Sequence, residues 1–380
     1  MGIFEDLREE FIEIENETGH DGYWYRVSDV LIMLVCGMLC SLKKVDDIHD
    51  WAKATPVRIF LQKEFGIAKI LSRAQFYNIL RVVDAEEFKL AFSRWMQRAL
   101  CGGVNGKTIS LDGKTVCSTD KLTKDGSVLH IISAIVSDLK LVIGSQECGT
   151  KTGEITAFRE LLEMLDVSGA MIVADALHCN KKSAKAVVEA GADYLLVVKD
   201  NNPTLKYDIE LFFKSETAQQ YQETELNSGR IEKRTASTCN EIEWLDGKEN
   251  WQNIACIGTI HREFESIKHG NKSSELHYYI SSKPLTPEEL LHHARMEWAV
   301  ESMHWLLDVH FSEDKTCVWD MNVQKILNTT RKIALNLIRT FRDAHYPKRV
   351  PLTSVFKENL FDLDMLSRFL DYFRSISKLD

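Results

Sequence analysis

The pattern of apolar residues after position 106 constrains the fold more than any other feature of this chain. Three apolar runs, in TISLD, LHIISAIVSD and KLVIGSQECG, predict three consecutive strands. Helical and strand patterns then alternate through EITAFRELLEML, MIVAD, NKKSAKAVVEAG, DYLLVVK and PTLKYDIELFFKS. The predicted order is βββαβαβα. A meander followed by alternating helices and strands predicts an α/β fold, with a mixed sheet and helices on its faces.

Two of these predicted strands run into an aspartate. Asp112 ends the apolar run of the first strand, and Asp175 ends that of the fourth. The predicted order is that of a ribonuclease H-like fold, in which the first and fourth strands lie side by side, so we expect the two carboxylates to converge. Converging carboxylates repel each other unless a cation lies between them, and oxygen ligands suit a divalent cation. Each aspartate alone could terminate a strand or cap a helix, but their matching positions favour a shared cation site.

The residues before position 100 show helical periodicity instead. Segments such as SDVLIMLVCGMLCSL and AEEFKLAFSRWMQRAL space apolar residues three and four apart. We therefore predict an all-helical N-terminal domain over residues 1–105, bounded by the glycine-rich CGGVNG. Within it, Ser72 is predicted to cap a short helix that presents polar side chains outward, namely Arg73, Gln75 and Asn78. This helix is either a DNA-reading element or an ordinary solvated face.

The formal net charge of −9 is unusual for a protein that binds nucleic acid, because phosphate contacts come from Lys and Arg. The charge is unevenly distributed along the chain. Residues 1–24 carry eight carboxylates and one arginine, whereas residues 25–105 carry 12 basic and 8 acidic side chains. Two interpretations of these basic residues follow for the helical domain: they form a surface that binds DNA, or they form an ordinary solvated helical face.

The cysteines and the apolar runs indicate where in the cell the protein is expected. Nine cysteines without a CxxC pair predict neither a disulfide framework nor a zinc ribbon. We expect reduced thiols and a cytoplasmic protein, since the first residues carry early carboxylates and lack the apolar core of a signal peptide. The longest apolar run, from Val30 to Leu42, has 13 residues, fewer than the roughly 20 that cross a bilayer. No membrane is expected as a partner.

A third carboxylate is predicted in the C-terminal part of the chain. Strand-like pieces over about 225–285 precede one long helix, TPEELLHHARMEWAVESMHWLLDVHF, which Thr286 is expected to cap. On that helix several polar side chains fall at spacings of three and four and so share one face, namely Glu297, Glu301, His304 and Asp308. The tryptophans between them indicate a face that is at least half buried.

Several segments resemble, in order and spacing, the DDE transposases of bacterial insertion sequences, specifically the H-repeat-associated branch. They are LDGKT, DALHCNKKSAKAVVEAGADYLLVVKDNNPTL, GRIEKR, YYISS and EWAVESMHWLLDVHFSEDK. The resemblance implies a ribonuclease H-like catalytic domain over residues 106–345, with the β-rich stretch as an insertion and residues 346–380 as a C-terminal helical tail. It also implies an Asp, Asp, Glu triad that binds two Mg²⁺ or Mn²⁺ ions, formed by Asp112, Asp175 and Glu301.

The resemblance implies an enzyme that cuts and joins double-stranded DNA, with the element's terminal repeats and the target as partners. It also implies that the helical domain over residues 1–105 binds the DNA ends. It also allows a homodimer. Candidate phosphate contacts are Lys199, Arg230, Arg234 and Arg295, although each could be an ordinary surface cation. His178 and His304 are candidates to orient the triad carboxylates, and His178 suits a structural role equally well.

Four positions depart from the H-repeat-associated branch. The branch usually has Arg, His, His and Asn where this chain has Cys117, Ser228, Glu297 and Ser302. None of these departures removes a triad carboxylate, but neighbours of a metal ligand orient it. Two other functions stay open: a catalytically decayed remnant that still binds DNA, and a ribonuclease H-like nuclease without strand transfer.

Overall fold

The computed structural model of the chain describes residues 1–17, 25–116, 129–149, 153–216, 218–227, 229–268, 270–315 and 318–379. Two of the four departures, Cys117 and Ser228, lie outside these residues. The seven cysteines within them are free thiols. In the described part of the chain, no helix is both long enough and apolar enough to span a bilayer.

Helices fill the N-terminal part of the chain. They are α1 (Ile3–Glu17), α2 (Val27–Leu39), α3 (Val45–Lys53), α4 (Thr55–Phe65), α5 (Arg73–Val82) and α6 (Ala85–Ala99). The predicted cap of α5 is confirmed, since the Ser72 side chain accepts a hydrogen bond from the Gln75 N–H and the Gln75 side chain reaches back to Ser72. Arg73 donates two hydrogen bonds to the Asp50 carboxylate. Asn78 accepts a hydrogen bond from Arg81, so all three side chains that this helix was predicted to present outward bond within the protein.

A mixed sheet follows and confirms the predicted α/β class. Its strands are β1 (Thr108–Val116), β2 (Leu129–Val136), β3 (Leu141–Cys148), β4 (Met171–Ala174), β5 (Asp193–Val198), β6 (Gln219–Asn227), β7 (Arg230–Cys239), β8 (Cys256–Ser266) and β9 (Lys272–Ser281). They lie in the order β3-β2-β1-β4-β5-β9-β8-β7-β6. β1 pairs antiparallel with β2 and parallel with β4, and β4 pairs parallel with β5. Three helices alternate with the strands after β3, namely α7 (Glu154–Met164), α8 (Lys181–Glu189) and α9 (Pro203–Ser215).

The strand-like stretch predicted over about 225–285 corresponds to β6 through β9, which begin at Gln219 and end at Ser281. These four strands pair antiparallel in turn, and β9 pairs antiparallel with β5. The stretch therefore extends the same sheet and does not form a separate layer.

The prediction of one long helix after Thr286 is wrong. The structure has two helices there, α10 (Pro287–Met296) and α11 (Trp298–Phe311). The predicted cap is confirmed, because the Thr286 side chain accepts a hydrogen bond from the Glu289 N–H. Both helices pack against β1, so the break between them lies beside the sheet.

The break between α10 and α11 follows from a contact with β1. The Ser110 hydroxyl donates a hydrogen bond to the Met296 carbonyl at 2.9 Å. The Val300 N–H, which would bond to that carbonyl in a continuous helix, bonds to the Glu297 carbonyl at 3.4 Å. Glu297 therefore stands between two helices and not inside one.

The remaining helices are α12 (Met321–His345), α13 (Leu352–Phe361) and α14 (Leu363–Ser375). α12 packs against α2, α6 and β3, so the N-terminal helices and the sheet share one hydrophobic core. The Asn336 side chain in α12 is fully buried, and it accepts a hydrogen bond from the Val142 N–H at 2.9 Å and donates one to the Val142 carbonyl at 2.8 Å. β3 is an edge strand, so Asn336 bonds where a further strand would otherwise pair.

The beginning and the end of the described chain also meet. The Ile3 N–H donates to the Ile376 carbonyl at 3.0 Å, and the Cys101 N–H donates to the Leu379 carbonyl at 3.1 Å. α1 packs against both α6 and α14. The helical part of the molecule is therefore assembled from both ends of the sequence.

We expect Asn336→Ala to lower the free energy of unfolding by about 2–6 kcal/mol, because it leaves two buried backbone groups of Val142 without partners, at roughly 1–3 kcal/mol each. Urea unfolding measures the loss. Asn78→Ala is the matched control, since Asn78 is exposed on α5 and bonds only to Arg81 among the contacts described, and it should change stability by less than about 0.5 kcal/mol. Equal losses in the two variants would contradict the role given to Asn336.

Candidate active site

The pairing of β1 with β4 places Asp112 and Asp175 at matching positions. The last paired residues of these two parallel strands are Leu111 and Ala174, and each aspartate is the next residue in its chain segment. Adjacent parallel strands lie roughly 4.8 Å apart. The sheet therefore makes the two aspartates neighbours although 62 positions separate them in the sequence.

The two aspartates occupy different local structures. The prediction that Asp112 ends its strand is wrong, because β1 continues to Val116 through its pairing with β2. β4 does end before Asp175, and the Asp175 side chain caps the following turn by accepting a hydrogen bond from the Leu177 N–H at 3.0 Å. Asp112 thus has a regular strand on both sides, whereas Asp175 begins a turn.

The surroundings of Asp112 make its ionised form less favourable than it is in water. Burial, and after it the negative charge of Asp175, raise the pKa of Asp112 to about 6, and Glu154 and Glu301 add to the rise. Its Oδ2 lies 3.6 Å from His304 Nδ1, so this predicted neighbour does approach the site. Burial lowers the pKa of His304 to about 3. The imidazole is therefore neutral at pH 7 and does not offset the carboxylate charges.

Glu297 belongs to the same electrostatic cluster. Burial, followed by the charges of Asp175, Glu301 and Asp112, raises the pKa of Glu297 to about 7, while Lys199 acts in the opposite direction. This residue is the glutamate that departs from the H-repeat-associated branch. The departure therefore adds a fourth acidic side chain to the group formed by the predicted triad.

A cavity of about 300 Å³ opens beside Glu301, between α10, α11 and the strands β5 to β9. Its lining includes Lys199, Arg234, Arg262, Arg295, Glu297, Trp298 and Glu301. Three of the four predicted phosphate contacts thus lie in one cavity next to the predicted triad. The fourth, Arg230, is exposed at the start of β7.

Two of these predicted phosphate contacts are already paired with carboxylates. Arg234 forms ion pairs with Glu225 at 2.9 Å and Glu232 at 2.7 Å. Arg295 forms ion pairs with Glu223 at 2.6 Å and Glu225 at 2.7 Å. Either guanidinium would have to exchange these partners to bind a phosphate. This pairing could not be predicted from the sequence, because it depends on how β6 and β7 lie relative to α10.

His178 bonds to a glutamate that the sequence analysis did not single out. His178 Nε2 lies 3.2 Å from Glu154 Oε1, and His130 Nε2 lies 2.8 Å from Glu154 Oε2. Glu154 is only 4% exposed. In the sequence it is an acidic residue at the start of a helix, which any helix favours. Nothing local distinguishes it from a simple helix-end charge.

Lys114 is a second residue that sequence analysis missed. Its Nζ lies 2.6 Å from Asp308 Oδ1 in α11 and 2.9 Å from Glu313 Oε2. Glu313 is 1% exposed and also accepts a hydrogen bond from Asn328 in α12 at 2.6 Å. Lys114 therefore ties β1 to α11 and, through Glu313, to α12. The sequence does contain one indication of its importance: Lys114 lies two residues after Asp112, so both side chains lie on the same face of the strand.

The side chains of Asp112, Asp175 and Glu301 are of a chemical type that binds divalent cations. Carboxylate oxygens are the ligands that Mg²⁺ and Mn²⁺ prefer, and a cation would relieve the repulsion that raises the pKa of Asp112 and Glu297. Among the residues that the structure describes, no three His, Cys, Asp or Glu side chains are arranged to hold one ion. Asp112, Asp175 and Glu301 therefore stay a predicted set of ligands.

Two protein-family models match the chain. The transposase DDE domain matches residues 82–337, and a model described as DDE_Tnp_1-associated matches residues 8–96. The chain therefore belongs to the DDE transposase family, as the resemblance predicted.

Relatives of known name agree with this assignment. "Putative transposase YncI" of Escherichia coli O157:H7 is 30% identical over 343 residues, which cover 84% of this chain and 83% of that protein. "H repeat-associated putative transposase YhhI" of Escherichia coli strain K12 is 29% identical over 327 residues, which cover 83% and 85% respectively. The predicted H-repeat-associated branch is confirmed.

Among solved structures, a piggyBac transposase synaptic complex with hairpin DNA covers 99% of this chain and 80% of its own at 11% identity. Its TM-score of 0.46 is too low to establish a shared fold.

We expect Lys114→Met to lower the free energy of unfolding by about 3 kcal/mol, because it leaves the buried carboxylate of Glu313 without its cation. Thermal or urea unfolding measures the loss. The control is Lys185→Met, since Lys185 pairs with Glu189 on an exposed surface of α8, where a change below about 0.5 kcal/mol is expected. A loss for Lys114→Met no larger than for the control would show that the Lys114 contacts do not stabilise the fold.

Proposed function

We propose that this transposase cuts DNA at the ends of an insertion sequence and joins those ends to a target. The observation that carries the proposal is the pairing of β1 with β4, which brings Asp112 and Asp175 side by side. The charges of Asp175 and Glu301 both raise the pKa of Asp112, so the three predicted ligands lie within electrostatic reach of one another. Such a group of carboxylates is the site that phosphodiester chemistry with divalent metal ions requires.

A ribonuclease H-like catalytic domain suits the strand arrangement. β1, β2 and β3 form a meander, β4 and β5 continue the sheet in parallel with β1, and α7 and α8 connect them. The strands β6 to β9 would then be the insertion that precedes the helix bearing Glu301. This layout supports residues 106–345 as the catalytic domain.

Asp112, Asp175 and Glu301 would hold two Mg²⁺ or Mn²⁺ ions, which supply Lewis-acid polarisation of the scissile phosphate and acidify a bound water. The protein must then present ionised carboxylates in fixed positions. With a pKa of about 6, Asp112 is mostly ionised at pH 7. The neutral His304 ring can fill space beside it without competing as a cation. Lys199, exposed at the rim of the cavity, suits the contact with a DNA phosphate.

The catalytically decayed remnant is the second candidate, and two observations favour it. Glu297 adds an anion that the branch usually lacks, and the described residues do not form a closed set of metal ligands. A nuclease without strand transfer is distinguished by its products. Supplied with pre-cut element ends, a transposase joins them to a target DNA, whereas a nuclease does not.

If the three carboxylates share a cation, Mg²⁺ or Mn²⁺ should raise the melting temperature in the absence of DNA, because the ion binds only the folded arrangement. At a cation concentration of a hundred times Kd, the stabilisation is about 2.7 kcal/mol. Asp112→Asn, Asp175→Asn and Glu301→Gln should each remove most of this shift, and the loss of repulsion should raise the metal-free melting temperature.

Glu189→Gln serves as the control for these melting experiments, because Glu189 lies exposed on α8 and interacts with Lys185. Its metal-dependent shift should equal that of the unmodified chain. A full shift in all three site variants would mean that these carboxylates do not share a cation.

Glu301 and Glu297 should have opposite effects on catalysis. Glu301→Gln keeps the shape of the side chain but removes a charge that would hold a cation, and we expect it to abolish cleavage. Glu297→His removes a competing anion and restores the residue usual in the branch, so cleavage should be preserved or increased. The assay is cleavage of DNA that carries the element's own ends in Mg²⁺, with folding checked by circular dichroism. Cleavage by Glu301→Gln would refute its assignment, and no cleavage by the unmodified chain or by Glu297→His would favour the remnant.

A further inference from the structure

Glu154 is a buried carboxylate that lies between the two elements bearing Asp112 and Asp175. It is the first residue of α7, and its two carboxylate oxygens accept hydrogen bonds from two histidines that are distant in the sequence. Despite burial, the hydrogen bonds from His178 and His130 lower the pKa of Glu154. A buried carboxylate with a partner on each oxygen has one well-defined position.

One side of Glu154 contacts β1 and β2. Gly113 follows Asp112 directly, and a Cβ atom on it would lie only 2.6 Å from Glu154 Cδ. The carboxyl group therefore packs directly against the β1 backbone, and a side chain at position 113 would require this carboxyl group to shift. His130 in β2 bonds to Glu154 through Nε2 at 2.8 Å and to the Thr115 hydroxyl through Nδ1 at 2.8 Å. Glu154 thereby contacts β1 directly at Gly113, and through His130 at Thr115.

The other side of Glu154 contacts the turn after β4. The His178 N–H donates to the Asp175 carbonyl at 3.1 Å, so His178 closes the turn that Asp175 begins. Its Nε2 bonds to Glu154, while its Nδ1 is buried without a partner among the described residues. Phe158, one helical turn after Glu154, stacks on the ring with centroids 4.4 Å apart. The orientation of His178 is therefore set by α7.

We propose that Glu154 is a positioning residue that fixes the backbone at Asp112 relative to the turn at Asp175, and so sets the separation of the two carboxylates for a shared divalent cation. The inference rests on the proposed function. Glu154 acts through Gly113, His130 and His178, and it need not touch the cation or the DNA.

Two substitutions separate the geometry of Glu154 from its charge. Glu154→Ala removes both hydrogen bonds and the packing on Gly113. Glu154→Gln keeps the shape, with one acceptor oxygen and one donor nitrogen. His130 can adapt to that donor by changing its tautomer, because the hydroxyl of Thr115 can either donate to Nδ1 or accept from it. Glu154→Gln should therefore keep most of the hydrogen bonding and packing that Glu154→Ala removes.

The first readout is the Mn²⁺ concentration that gives half of the rise in melting temperature, measured without DNA. Glu154→Ala should raise this concentration about 10- to 100-fold, the range typical when a group that orients a metal ligand is lost. Glu154→Gln should stay close to the unmodified chain. The second readout is the rate of DNA cleavage at increasing Mn²⁺, where Glu154→Ala should require correspondingly more cation.

Glu10→Ala is the matched control, because Glu10 is 2% exposed and pairs with Arg94 and Arg98 in the N-terminal helices. It should lower the melting temperature without changing the half-saturating cation concentration. If Glu154→Ala does not fold, Phe158→Leu replaces it, since it removes the ring stacked on His178 while keeping Glu154, and it should weaken cation binding in the same direction.

An unmodified chain without any cation response would overturn the proposed function and this inference with it. A normal response that Glu154→Ala, or Phe158→Leu in its place, leaves unchanged would overturn the inference alone. So would an equal change in Glu10→Ala, or a failure of Glu154→Gln to restore binding.

Discussion

The parallel pairing of β1 with β4 is the constraint on which the candidate site depends. Side chains alternate between the two faces of a strand, so a shift of one residue would send Asp112 to the opposite face. Ser110, Asp112 and Lys114 are spaced by two and share a face of β1. Ser110 bonds to Met296 at the end of α10, and Lys114 bonds to Asp308 in α11. Ser110 and Lys114, on either side of Asp112, thus fix the two helices that flank Glu297, and the second of these helices, α11, carries Glu301.

The carboxylates around this strand fall into two groups. Glu154 accepts hydrogen bonds from two histidines, and Glu313 bonds to Lys114 and Asn328, so both are compensated inside the fold. Asp112 and Glu297 have raised pKa values because burial and neighbouring anions disfavour their charged forms. Buried charges without partners are costly. The structural carboxylates Glu154 and Glu313 therefore have compensating partners, whereas excess negative charge remains where the predicted triad lies.

The sequence predicted those features that depend on local pattern. The alternation of strand and helix patterns was sufficient for the α/β class, and the caps at Ser72 and Thr286 were visible as short motifs. The break at Glu297 could not be predicted, because its cause is a hydrogen bond from Ser110 to the carbonyl of Met296, 186 positions later in the sequence. The same holds for Glu154, whose role depends on histidines of two other elements. Long-range contacts of single side chains leave no periodic trace in a sequence.

The contacts between the two ends of the chain affect how it can be made. The Ile3 N–H bonds to the Ile376 carbonyl, and α2 and α6 pack against α12. A ribosome releases the first helices long before these partners are synthesised, although domains generally fold as units. The N-terminal helices therefore stay incompletely packed until α12 and α14 have been translated. A gene copy interrupted before the codons of α12 would yield N-terminal helices without these packing partners, and such a product would be exposed to proteases.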